Sequence, residues 1–167
     1  MIRNEPSHTA TVQTVDTGID QAMIGRLAEA LSRAVADTFS LYLKTLGTHW
    51  NIVGPNFYGI HKLAQKQYED LDEALDDLAE RIRSLGYPVP AGFNEFRKIS
   101  IVEVESTIKS SDEMLRALIA DNEALAKRFR EFSNVAADAQ DKFTEDMLIG
   151  RIGAHEKNAW MLKSLLS

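Results

Sequence analysis

The chain has 167 residues, 44% of them apolar and 26% charged, the make-up of one globular domain rather than a disordered or fibrous segment. It contains no cysteine, which excludes disulfides, thiol nucleophiles and thiolate-held zinc or iron–sulfur centres. Its 19 basic and 25 acidic side chains leave a net charge of −6, which suits cations and gives no general attraction to nucleic acid.

Residues 1–18 are rich in Thr and Ser and have no apolar period, so they read as a flexible N-terminal tail carrying a solvated His8. The opening residues lack the apolar stretch of a signal peptide, and no apolar run approaches the ~20 residues of a membrane span. The expectation is a cytoplasmic protein with no membrane partner.

Residues 19–167 read as one helical domain. From Ile19 a first helix places Met23, Leu27, Leu31, Val35, Tyr42 and Leu46 near a 3.6-residue period and ends around 47–51. Gly54-Pro55-Asn56 is a breaker followed by an N-cap. The second helix is expected over 57–85, with Phe57, Ile60, Ala64, Tyr68, Leu71, Leu75, Leu78, Ile82 and Leu85 facing a core. Gly86 and the prolines at 88 and 90 stop it.

The connection that follows is expected to carry one short helix near 94–98. A third long helix is predicted over 102–133, broken near Asn134. The fourth is predicted over 139–166 with Phe143, Met147, Ile152, Trp160 and Leu165 inward. Gly150 and Gly153 weaken that helix by ~1 kcal/mol each unless they admit the close approach of another chain. Four long helices without a strand make an all-α four-helix bundle, and the long second-to-third connection makes a crossover.

The chemistry-bearing residues lie around the first turn. His49 and His61 flank it and are placed to face one another, whereas His155, beside Glu156, reads as a surface or interface residue. With His61 at zero on a helical wheel, Asp72, Gln65, Asp76 and Glu80 fall at about 20°, 40°, 60° and 100°. One imidazole, one amide and three carboxylates therefore share a strip beside the apolar stripe. A solvated charged margin is the competing account of that strip.

His61 and Asp76 are fifteen residues apart, about 22 Å along a helix, and cannot hold one small ion within one straight helix. Two copies of the second helix packed antiparallel about a twofold axis would set His61 of one opposite Asp76 and Glu80 of the other. That geometry predicts an oligomer with two identical His/carboxylate sites.

Thr48-His49-Trp50-Asn51, Gly54-Pro55-Asn56-Phe57, His61 and Asp76-Asp77-Leu78-Ala79-Glu80-Arg81 together resemble the Dps-type mini-ferritins. The resemblance runs from about residue 20 and includes the late segment 151–160. It implies a ferritin-like bundle assembled as a hollow homododecamer with ferroxidase sites between twofold-related subunits. In that scheme His49 and His61 come from one chain, and Asp76 and Glu80 from its neighbour. The implied reaction is oxidation of Fe(II), with hydrogen peroxide or oxygen, and storage of ferric mineral that protects the cell from oxidative stress.

The resemblance also puts Trp50 beside the site, either to intercept stray oxidising equivalents or to pack at the turn. It implies iron-channel acids at Asp141, Glu145 and Asp146, for which a solvated helix start is the alternative. Gln65 departs from the family, which usually carries Asp four residues after the second histidine. The neutral amide is a weaker iron ligand, and Asp72 of the facing helix is the candidate to compensate. DNA as a partner stays open, but no Lys-rich terminus supports it. The alternatives are a nucleoid-associated, DNA-protecting protein and a bundle without redox chemistry.

Overall fold

A computed structural model of the chain describes residues 15–104 and 109–166; residues 1–14 of the expected tail, His8 among them, lie outside it. The described residues form five helices: α1 (Gln21–Asn51), α2 (Phe57–Ser84), α3 (Phe93–Ile99), α4 (Ser111–Asp138) and α5 (Lys142–Lys163). No strand occurs among the described residues.

Local chemistry sets the helix ends. Asp20 starts α1 by accepting from the Ala22 amide at 2.8 Å. Gly54, at φ 108°, makes the sharp turn into α2 that a side-chain-bearing residue would resist. At the far end of α2, Gly86 takes φ 88°, while the Tyr87 and Gly86 amides donate back to the Ile82 and Arg83 carbonyls. This pair of bonds satisfies carbonyls the helix would otherwise leave open.

Short connections make α1–α2 and α4–α5 antiparallel hairpins, which pack mainly through α1 against α4. The shared core is Leu27, Leu31 and Leu41 from α1, Leu71, Leu78 and Ile82 from α2, Leu115, Leu118 and Phe129 from α4, and Leu148 and Leu162 from α5. Each such side chain gains ~1.5–3 kcal/mol on leaving water. The crossover is tied down by a buried carboxylate: Asp37 accepts from the Ile101 amide at 2.9 Å and pairs with Arg128 at 3.3 Å. Burial pushes the Asp37 carboxyl up, against the opposing pull of the Ile101 amide and Arg128.

Several expectations need correction. The third long helix begins at Ser111, not near 102, because Ser110 and Glu113 form a reciprocal capping box there. Val102 is buried, but as part of the crossover. Asn134 does not break α4, which runs on to Asp138; the chain reverses at Gln140, with φ 56°.

The inward face of the fourth helix also differs. Phe143 and Trp160 are 63% and 66% exposed, whereas Thr144, Leu148, His155, Asn158, Ala159 and Leu162 are buried. Met147, Ile152 and Leu165 pack partly against the core, as expected. Polar residues on the buried side and aromatic ones outside leave α5 no clean apolar stripe, so hydropathy alone misplaces its face. His155, expected at a surface, is fully buried. On α2, Phe57 is 43% exposed rather than core-facing.

Candidate metal centre

The α1–α2 turn brings its two histidines together through reciprocal bonds. His49 Nδ1 lies 2.9 Å from the His61 carbonyl oxygen, and His61 Nδ1 lies 2.9 Å from the His49 carbonyl oxygen. A carbonyl can only accept, so both Nδ1 atoms carry the proton and donate. In the neutral imidazole each Nε2 then keeps its lone pair. The rings stack with centroids 3.7 Å apart and planes 19° apart, which holds the two imidazoles together as one unit. Backbone bonds of this kind fix the tautomer and ring orientation of metal-ligating imidazoles.

Phe57 stacks on the His61 side at 5.1 Å, and Tyr68 meets His49 edge-on at 5.2 Å. Tyr68 in turn meets Tyr42 edge-on at 6.2 Å. The spacing held a signal for these contacts: Tyr42 precedes His49 by seven residues and Tyr68 follows His61 by seven, two turns along the same helix face. Trp50 beside the pair is 65% exposed and does not pack into the turn within this chain.

The rest of the strip stands apart. Asp72, Asp76 and Glu80 are exposed on α2 and take no hydrogen bond or ion pair among the described residues. Gln65 is half-buried and committed to its own helix: its Oε1 accepts from Lys62 at 3.1 Å and its Nε2 donates to Glu69 at 2.9 Å. Among the described residues, no three His, Asp or Glu side chains gather within one chain as a metal site. Two imidazoles without carboxylates lie at one end of the α2 strip, and carboxylates without imidazoles lie along it.

At the start of α5 the three acids have different surroundings. Asp141 is 4% exposed and accepts from Arg81 at 2.6 Å and from the Thr144 amide at 3.1 Å. It is the α5 N-cap and, through Arg81, a tie between α2 and α5, so within this chain its carboxylate is not free to line a channel. Burial alone would raise its pKa, but the bonds from Thr144 and Arg81 hold it below the usual carboxylate value. Glu145 is half-buried and pairs with Lys142 at 2.6 Å, while Asp146 is exposed.

His155 is the residue whose setting the spacing did not reveal. Its Nδ1 bonds Asn122 Oδ1 at 3.0 Å, and the Asn122 amide nitrogen donates to the Leu118 carbonyl. The Asn122 oxygen accepts, so His155 too is protonated on Nδ1, but its Nε2 is sealed inside the core. Burial, aided by nearby Arg151 and opposed by Asp70, pushes its pKa down to about 3.

A four-helix bundle with one long crossover is a ferritin-like architecture. The model of the ferritin-like domain matches residues 28–167. The DNA protection during starvation protein of Helicobacter pylori is 33% identical over 140 residues, 83% of this chain and 97% of that protein. A Porphyromonas gingivalis protein of the same name is 33% identical, covering 89% of this chain and 93% of its own length. Among solved structures, a Dps protein from Bacillus brevis superposes with a TM-score of 0.84 at 30% identity, covering 89% of this chain and 99% of that one. The Dps protein of Vibrio cholerae O1, described as a member of a broad superfamily of ferritin-like diiron-carboxylate proteins, superposes at 0.86 with 28% identity over 92% of this chain and 97% of that one. The chain belongs to the ferritin-like family, as a Dps-type mini-ferritin. No described helix is long and apolar enough to cross a membrane.

Proposed function

We propose that this protein oxidises Fe(II) with hydrogen peroxide and stores the ferric product inside a homododecameric cage in the cytoplasm. The observation that carries the reading is the reciprocal bonding of the stacked His49 and His61, which uses Nδ1 of each ring and leaves each Nε2 without a hydrogen-bond partner among the described residues. Neutral imidazole and ionised carboxylate form a mixed N/O donor set that suits Fe(II) and accommodates Fe(III). Asp76 and Glu80 are too far along α2 to join their own histidines, so in this reading a second copy, antiparallel across a twofold axis, supplies them.

Iron here is the substrate. His49 and His61 hold the incoming ion by nitrogen, and the partner copy's carboxylates neutralise its charge and remain good ligands after oxidation. Two ferrous ions in one site deliver both electrons that peroxide needs, so no hydroxyl radical is released. Gln65, occupied by Lys62 and Glu69, stays outside the ligand set or binds weakly through its oxygen. Glu145 and Asp146 remain the candidates for a cation path, with Asp141 holding their helix in place.

The names of the relatives point to protection of DNA. We read that protection as chemical, through removal of Fe(II) and peroxide, because the net charge of −6 opposes contact with phosphates. The test is an anaerobic Fe(II) titration of the assembled protein followed by peroxide or oxygen in parallel. Rapid oxidation consuming one peroxide per two Fe(II) is expected. A particle that stays monomeric in light scattering, or Fe(II) that oxidises no faster than in buffer, overturns the reading. A gel shift of linear DNA at low salt with magnesium checks the DNA-contact alternative.

A further inference from the structure

The side of α2 turned away from the histidine–carboxylate strip meets α5 across a groove of about 270 Å³. Lys66, Gln67 and Asp70 line it from α2, and Gly153, Lys157 and Asn158 line it from α5. With His61 at zero on the helical wheel, Lys66, Asp70 and Gln67 fall at about 140°, 180° and 240°, well clear of the strip. A water molecule takes about 30 Å³, so the groove has room for a larger occupant.

In a chain of net charge −6 this groove is a local cationic spot. Lys66 and Lys157 stand exposed at its walls, and neither forms an ion pair with a described residue. The two acids one turn beyond Lys66 are already engaged. Glu69 accepts from Gln65 at 2.9 Å, and Asp70 accepts from Arg151 at 2.7 Å. Lys157 has no acid three or four residues away on either side. Asp70 is the one carboxylate among the described residues lining the groove, and Arg151 cancels its charge. Two ammonium groups are left uncompensated, and no cation would settle there.

The groove also holds two carboxamides with bonding capacity to spare. Asn158 is 8% exposed, yet its side chain hydrogen-bonds no described residue. Gln67 is 3% exposed, and its Nε2 is sealed without a partner. A half-turn of a carboxamide exchanges its nitrogen and oxygen with almost no change of shape, so either residue can present N–H to the groove. Buried polar groups are nearly always paired, and an unpaired one in a polar groove calls for a water or an ion. Water would satisfy the amides and leave both ammonium charges unanswered. An acceptor that carries negative charge answers all four groups.

We infer that the α2–α5 groove binds a small oxyanion of the inorganic phosphate class. Lys66 and Lys157 neutralise its charge from opposite walls, and the Asn158 and Gln67 amides donate to its oxygens. The bound ion ties α2 to α5, adding to the Arg151–Asp70 and Arg81–Asp141 pairs. A duplex backbone would bring a row of phosphates against an acidic surface, whereas a single ion meets only the local field. The site is independent of the iron-oxidising reading, because it lies on the other side of α2 and uses none of the proposed ligands.

The test titrates iron-free assembled protein with inorganic phosphate in a calorimeter at neutral pH and low salt. Saturable binding of one ion per protomer is expected, with an unfolding temperature that rises as the site fills. Lys66→Gln and Lys157→Gln should each weaken binding ~10-fold, the factor a hydrogen bond to a charged group supplies. The double variant should abolish it, as should Asn158→Asp, which keeps the shape and turns a donor into an acceptor. Lys98→Gln removes the same charge from an exposed position on α3 and should change nothing. Circular dichroism and light scattering check each variant's fold and assembly. A parallel arm with glycerol 3-phosphate separates the sources: binding as tight as phosphate assigns the site to phosphoryl groups of larger molecules, and weaker binding assigns it to the free ion. No saturable binding, an equal response to chloride, binding that survives in the double lysine variant, or an equal loss in Lys98→Gln overturns the site. With no iron present, none of these outcomes touches the iron-oxidising reading.

Discussion

Two histidine settings in this molecule use the same backbone-side proton and reach opposite results. At the α1–α2 turn, His49 and His61 each donate from Nδ1 to a carbonyl and keep Nε2 at a half-exposed face. Between α4 and α5, His155 donates from Nδ1 to Asn122 and has its Nε2 sealed in the core. Fixing the tautomer prepares an imidazole for a metal only where the other nitrogen remains reachable. In the core the same device satisfies one polar atom and leaves the second as a standing cost. The difference lies in what surrounds Nε2.

The sharpest way to break the comparison is to remove the open pair. His49→Ala or His61→Ala should weaken Fe(II) binding by more than the ~10–100-fold typical of outer-shell changes, with little loss of fold. Asp76→Ala and Glu80→Ala should match them. Cages reassembled from a His variant and an acid variant should recover a fraction of sites. Calorimetry and rapid-mixing absorbance read both, and no recovery after verified mixing would place all ligands in one chain.

The sealed histidine should report through acid instead. In the unfolded chain its pKa is the ordinary 6.5, and in the fold it is about 3, so between these values only the unfolded state takes the proton. Stability is therefore fully present above pH 6.5 and falls as pH drops toward 3. From pH 6.5 to pH 5 the loss is about 2 kcal/mol per protomer. Urea midpoints at pH 7 and pH 5 measure it, and His155→Leu should flatten that difference. Asp141 has the opposite kind of shift, a lowered carboxyl, so its contribution is lost only below its ordinary 3.8. The two windows separate on an acid titration. An unchanged slope in His155→Leu would mean that His155 is not what couples folding to pH there.

Gln65→Asp sharpens the open site with a smaller effect. It removes the bonds to Lys62 and Glu69 and adds a carboxylate beside the imidazoles. Fe(II) should bind severalfold more tightly, and calorimetry should show a lower dissociation constant or a higher count per dimer. If both stay the same while His61→Ala still loses binding, residue 65 lies outside the coordination sphere.

The smallest effect belongs to the helix that carries the sealed histidine. A Cβ at Gly150 or Gly153 meets nothing within 4 Å in this chain. Each Gly→Ala change should therefore stabilise α5 by up to ~1 kcal/mol in denaturation. A loss of cage assembly on light scattering would instead show that another copy approaches closely there.

Much of this was legible in the residues alone. The 3.6-residue stripes of α1 and α2, the breaker at Gly54-Pro55-Asn56 and the stop at Gly86 are local events, and local chemistry decides them. So is the separation of His61 from Asp76, because a helix converts residue count into length. The existence of four long helices follows from these, and so does the expectation that a second copy completes the proposed site. The inward face of α5, the burial of His155 and the sealing of Asp141 against Arg81 do not. They depend on what α4 and α2 place opposite. A polar residue goes inside when a partner from another element meets its hydrogen bond, and no spacing within one helix records that partner. The tautomers of His49 and His61 were set the same way: two carbonyls twelve residues apart came within reach only when the turn closed.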